Sequence, residues 1–185
     1  MSLPAFLGLA YFASELLLAL TRRSRGAGVK RDRGTLHVLW VVILLSIVAG
    51  LFVGTRWSAA ALPKPNICRL VGIGLFVAGL ALRWWAIVAL GRFFTVDVQI
   101  APDHHLVESG PFRFLRHPSY SGVLLAFLGF SLTLCNWAAL LVIMAPITAA
   151  FVHRMNVEEG ALQAALGQKY RDYLIRTKRL IPGIY

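Results

Sequence analysis

Long apolar runs constrain this chain more than any other feature. Residues 3–20, 36–54 and 67–90 each approach the roughly 20 residues that a helix needs to cross the hydrocarbon of a bilayer. A span in lipid must satisfy its own backbone hydrogen bonds, so runs of this kind fold as helices. A fourth run, residues 119–152, is apolar for more than thirty residues. That is too long for one crossing at about 1.5 Å per residue. Cys135-Asn136 is its natural break, so it reads as a tight helical hairpin with two rather short arms. The expectation is an all-α integral membrane bundle of about five transmembrane helices. Composition agrees: 58% of the 185 residues are hydrophobic, against about 45–50% in an ordinary soluble domain.

Charge is scarce and clustered. Charged residues make up 15% of the chain, with 19 basic against 8 acidic, a net charge of +11. Residues 21–35 form a glycine-containing basic loop with Arg22, Arg23, Arg25, Lys30, Arg31 and Arg33. Residues 91–118 are polar, with His104, His105 and His117. The chain turns polar again after His153, and Met155 to Thr177 has helical spacing in Leu162, Leu166, Tyr170, Tyr173 and Leu174, with an interruption expected at Gly167. Two regions follow: three membrane helices with the basic loop in residues 1–90, and a polar loop (91–118), hairpin (119–153) and C-terminal amphipathic helix and tail (154–185) in residues 91–185. No internal repeat is present.

Five spans place the basic loop, the 91–118 segment and the tail on one side of the membrane. These hold fifteen of the nineteen Lys and Arg residues. Basic residues favour the cytosolic side, so the N-terminus is expected outside and the C-terminus inside. The first run is expected to remain as a span, since no basic stretch precedes it and further spans follow. The positive charge is read as topology and contact with anionic headgroups. No nucleic-acid-recognition motif accompanies it. Arg83-Trp84-Trp85 reads as an interfacial anchor with Arg83 snorkelling. Glu15 lies inside a span, where an acid needs a partner or a function. Cys68 and Cys135 can be paired or free.

A hairpin returns its two ends to one place, so His117–Tyr120 and Arg154–Glu158 are expected to be neighbours. Arg154 and Glu158 stand at i and i+4, the spacing of a helix-stabilising pair. The histidines lack spacing such as His-x-x-x-His, and no metal site is expected.

The run Arg116-His117-Pro118-Ser119-Tyr120-Ser121-Gly122 resembles the isoprenylcysteine carboxyl methyltransferase family, within a wider group of membrane phospholipid methyltransferases. So do the preceding His-x-Leu-Val-x-x-Gly-Pro pattern and the later Glu158-Glu159…Gly167-x-x-Tyr170-x-x-Tyr173. The resemblance covers roughly residues 94–183. It implies a methyltransferase that uses S-adenosylmethionine, with S-adenosylhomocysteine as product. The implied acceptor is a prenylated or otherwise amphiphilic molecule at the cytosolic face, in the family's best-known case the carboxyl group of an isoprenylcysteine. It implies cofactor contacts at Gln99, His104, His105, Leu106, Val107, His117, Pro118, Ser119, Tyr120 and Glu158. It places Arg154 at the substrate and makes Arg154 and Glu158 the catalytic pair. Phe112 departs from the family, where Tyr is common, so ring packing is implied there without a hydroxyl contact.

The residue types suit that chemistry. A carboxylate can pair with the cofactor's ammonium, and a histidine can bond its carboxylate. A carboxylate acceptor is ionised at neutral pH and needs no base. Were the acceptor an amine, Glu158 or Glu159 could take its proton. Three other readings stand beside this one. The acceptor could be a phospholipid amine or a small thiol. Sterol reductases, which bind NADPH, share an Arg-His-x-x-Tyr-x-Gly region. The chain could also be a membrane scaffold without activity.

Overall fold

The computed structural model describes residues 2–21, 29–30, 34–91, 94, 99–100 and 106–185, with only the backbone for 29–30 and 99–100. Among these, six α-helices appear: α1 (Leu3–Thr21), α2 (Thr35–Arg56), α3 (Pro65–Leu90), α4 (Pro118–Thr133), α5 (Trp137–Leu166) and α6 (Gln168–Arg176). Two-residue strands, β1 (Val29–Lys30) and β2 (Gln99–Ile100), pair antiparallel. Helices α1, α2, α3 and α5 are long and apolar enough to cross a membrane. Helix α4 has 16 residues, about 24 Å at the usual rise, and falls short of a 30 Å hydrocarbon core. The outward faces carry Leu9, Phe12, Leu44, Leu45, Phe52, Leu70 and Val77, all well exposed. Such a surface belongs in lipid, where apolar side chains need no cover. The chain is an integral membrane protein.

The hairpin breaks at the expected place. Cys135 adopts a left-handed φ of 53°. Asn136 caps α5 by accepting from the Ala139 N–H at 2.9 Å, and its amide donates to the Trp57 carbonyl at 2.8 Å. Cys68 and Cys135 are free, half-buried thiols.

Two expectations change. The apolar run ends near His153, but α5 continues through it to Leu166. Backbone helicity does not require apolar residues, and Arg154, Met155 and Glu159 on this extension are buried against the rest of the bundle. The helix ends at Gly167, whose φ of 56° and ψ of −127° suit glycine alone. Arg83-Trp84-Trp85 likewise lies within an unbroken α3. Arg83 does not snorkel. Its side chain is only 10% exposed and turns inward to Glu15, because an unpaired charge in apolar surroundings costs more than a paired one.

The tightest helix contact is between α3 and α4. Gly72 and Gly79 of α3 face Gly129 and Gly122 of α4, in antiparallel order. A Cβ on Gly122 would lie 2.6 Å from both the Gly79 carbonyl oxygen and the Arg83 nitrogen. Small residues let membrane helices approach to backbone contact, where van der Waals packing replaces the missing hydrophobic drive. This contact brings the first turn of α4 against Arg83. Elsewhere Leu39 and Ile43 of α2 join Val123, Phe127 and Phe130 of α4 and Ile143, Ile147 and Phe151 of α5 in one apolar core.

Gly122→Val should therefore destabilise the bundle by about 1–3 kcal/mol, the range for overpacking. Gly74→Val, at a position with open space around it, should leave the detergent-solubilised Tm nearly unchanged.

Candidate active site

One end of the bundle gathers the C-terminal halves of α1, α3 and α5 and the N-terminal ends of α2 and α4. There they enclose a cavity of about 160 Å³. One water needs roughly 10–15 Å³ on that measure, so the space suits a larger ligand. Its apolar walls include Leu39, Trp40 and Ile43 of α2 with Val123 and Phe151, and its polar wall includes His117, Tyr120, Arg154 and Glu158.

The polar wall is a connected network. The Tyr120 hydroxyl donates to Glu158 Oε2 at 2.8 Å and accepts from Arg154 Nε at 3.0 Å. Arg154 Nη1 also donates to Thr35 Oγ1 at the start of α2, at 3.1 Å. Arg154 is 3% exposed, so these charge-assisted bonds hold it firmly in place. The Tyr120 ring stacks on His117 at 5.4 Å between centroids. His117 Nε2 lies 3.1 Å from Glu159 Oε1, and Nδ1 lies 3.8 Å from Glu158 Oε2. The imidazole is thus held between two adjacent carboxylates of α5.

Glu159 anchors the site from behind. Arg116 Nε donates to Oε1 at 3.0 Å, and Arg179 Nη2 donates to Oε2 at 2.5 Å. Arg116 Nη1 also donates to the Leu174 and Thr177 carbonyls at the end of α6. The tail then runs along the histidine motif. Arg116 and His117 N–H groups donate to the Lys178 and Arg179 carbonyls, and Ser121 Oγ donates to the Leu180 carbonyl. Tyr173 donates its hydroxyl to the carbonyls of Phe112 and Leu115. Burial pushes the Tyr170 and Tyr173 phenols above their ordinary range, so both stay neutral.

Leu106, Val107, Phe112, His117, Pro118, Ser119, Tyr120, Arg154 and Glu158 all line the one cavity. The Phe112 ring is buried there, and its carbonyl serves Tyr173. Ser119 Oγ accepts from Arg83 at 3.2 Å. Arg154 and Glu158 meet at the Tyr120 hydroxyl. Gln99 is placed by its backbone alone, paired with Lys30 across β1 and β2. His104 and His105 lie outside the described residues.

Sequence reasoning missed the anchoring roles of Arg116, Glu159 and Arg179, the Thr35 contact and the cavity wall from α1 and α2. Arg116 and Glu159 stand inside the quoted motifs, and Arg179 is a charge beside an apolar stretch, but neither signal names a partner.

Glu159→Ala strands Arg116, Arg179 and His117 and should cost about 3–5 kcal/mol, as removing one member of a buried ionic pair does. A lowered Tm, together with faster proteolysis of the tail beyond α6, would register that loss.

Comparison with known proteins places this geometry. A family model described as "Isoprenylcysteine carboxyl methyltransferase (ICMT) family" matches residues 72–164, half of the chain. Protein-S-isoprenylcysteine O-methyltransferase B of Arabidopsis thaliana is 33% identical over 61% of this chain and 58% of its own length. The protein-S-isoprenylcysteine O-methyltransferase of Schizosaccharomyces pombe is 27% identical over 97% of this chain and 82% of its own. A solved structure of the eukaryotic intramembrane Ras methyltransferase superposes with a TM-score of 0.62 at 29% identity, covering 78% of this chain and 52% of that one. The chain thus spans little more than half of the Arabidopsis relative and of the solved protein. The match includes α4 and most of α5, the two helices that supply His117, Tyr120, Arg154 and Glu158 to the cavity, and on that evidence the chain belongs to the isoprenylcysteine carboxyl methyltransferase family.

Proposed function

We propose that the chain is an S-adenosylmethionine-dependent methyltransferase that methylates the carboxyl group of an isoprenylcysteine-type acceptor at the cytosolic face. The supporting observation is the cavity itself. It joins a polar wall of Tyr120, Arg154 and Glu158 to an apolar wall of Leu39, Ile43 and Val123. A charged nucleotide cofactor and a hydrocarbon-bearing acceptor need both in one space.

The donor set fits the cofactor. Glu158 is a partly open carboxylate, 29% exposed at its side chain, suited to an ammonium. His117 suits a carboxylate, and Leu106, Val107 and Phe112 offer an apolar surface for an adenine. His104, His105 and Gln99 complete the proposed set from the 91–118 segment. When bound, the cofactor supplies an electrophilic methyl group on a sulfonium.

The chain's own residues then position and shield. The Arg154 guanidinium, fixed by Tyr120 and Thr35, aims the acceptor's carboxylate by charge-assisted bonds. An ionised carboxylate needs no base, so the work lies in orientation. The apolar wall keeps water out while opposite charges neutralise each other. In this reading the N-terminus lies outside, and the Arg-rich 21–35 loop, the site and the C-terminus face the cytosol.

Purified protein should be stabilised thermally by S-adenosylhomocysteine and not by NADP, since a ligand raises Tm only by binding the folded state. Labelled methyl should pass to N-acetyl-S-farnesylcysteine and not to phosphatidylethanolamine or a simple thiol. Stabilisation by NADP alone would contradict the reading. Arg154→Ala should lower kcat/KM for the acceptor by about 10–100-fold, the worth of a hydrogen bond to a charged group, with S-adenosylhomocysteine binding retained. Unchanged turnover would remove Arg154 from the substrate.

A further inference from the structure

Helix α1 walls the cavity with Tyr11 and Glu15, and α2 walls it with Leu36, Leu39, Trp40 and Ile43. Yet the two are not among the closely packed helix pairs, which are α3 with α4, α2 with α5, α4 with α5 and, more sparsely, α5 with α6 and α1 with α4. Only Leu7 and Leu18 are buried along α1. Tyr11 rests on Phe127 of α4 at 4.9 Å between ring centroids.

Two polar tethers tie α1 to α3. Arg83 Nη2 donates to Glu15 Oε2 at 2.8 Å, and Trp84 Nε1 donates to Ser14 Oγ at 2.9 Å. Arg83 also reaches Ser119 Oγ on α4, so one guanidinium bridges the loosest helix to the first turn of α4. The bridge is incompletely satisfied. Glu15 Oε1 and Arg83 Nε are buried without a hydrogen-bond partner among the described residues. In apolar surroundings such orphan groups raise the free energy of the closed arrangement. Apolar packing limited to Leu3, Leu7, Ala10 and Tyr11 against the core, and an ion pair that is only partly served, make α1 the least costly wall to move.

We propose that α1 is the movable wall of a lateral portal. The Glu15–Arg83 pair latches it, and the hydrocarbon chain of an amphiphilic acceptor passes from the bilayer between α1 and α2 when the latch opens. Glu15 is then a positioning residue, acting through Arg83, and touches no reacting atom. The portal rests on the amphiphilic-acceptor reading above. The latch is a property of the helices and is measurable without catalysis.

The test uses full-length protein in bilayer discs, with Cys68 and Cys135 replaced by alanine. Nitroxide labels go at Phe12→Cys on α1 and Val77→Cys on α3, both lipid-exposed positions, and pulsed electron resonance reads the distance between them. The closed protein should give one dominant distance. Adding N-acetyl-S-farnesylcysteine should bring in a longer one, and Glu15→Gln should show the longer one without it. Should Glu15→Gln fail to fold, Ser14→Ala removes the second tether and should act in the same direction. Distributions that superimpose for probe and variants alike would overturn the latch and the portal together. A response to the probe but to neither variant would overturn the latch, and a response to the variants but not to the probe would overturn the portal. Thermal stabilisation by S-adenosylhomocysteine, measured on the same samples, tests the methyltransferase reading separately.

Discussion

A charge surrounded by hydrocarbon is tolerable only with a partner, and that constraint organises this bundle. Arg83, His117, Arg154, Glu15 and Glu159 are largely buried, and all sit at one end of the helices. Each is held by another polar side chain from a different helix or segment. The glycine contact between α3 and α4 makes this possible. It brings α4 close enough for Arg83 to reach Ser119, and it sets His117 and Tyr120 where α5 can answer them with Glu158, Glu159 and Arg154. Packing and electrostatics are thus one arrangement.

The result is a division of labour between adjacent carboxylates. Glu159, nearly enclosed, takes Arg116, Arg179 and His117 and ties the histidine motif to the tail. Glu158, more open, faces the cavity and takes only the Tyr120 hydroxyl as a hydrogen-bond partner among the described residues. One residue of sequence separates an anchor from a group available to a ligand, because successive residues on a helix point about 100° apart.

Much of this was legible in advance. The apolar runs mark the helices, because hydrocarbon leaves the backbone few alternatives. Asn136 marks the hairpin turn, because a side-chain acceptor there satisfies the first turn of α5. The meeting of Tyr120 with Glu158 follows from hairpin geometry alone. What escaped reading was of a different kind. Hydropathy falls at His153 although the helix does not, since a turn of helix can be buried through Arg154 as well as through leucine. Arg83 beside two tryptophans matched the pattern of an interfacial anchor. Only tertiary packing discloses that Glu15, 68 positions away, supplies its partner. Pairings across such separations leave no trace in local pattern.

The proposed function requires one cavity to serve both a charged nucleotide and a hydrocarbon chain. An experimental structure with S-adenosylhomocysteine and N-acetyl-S-farnesylcysteine bound together tests that most directly. The amino acid portion of the nucleotide is expected between His117 and Glu158, the acceptor carboxylate at Arg154 and the farnesyl chain against Leu39 and Ile43. Nucleotide density at the opposite end of the bundle, near Trp57 and Asn136, or a farnesyl chain outside the cavity would contradict it.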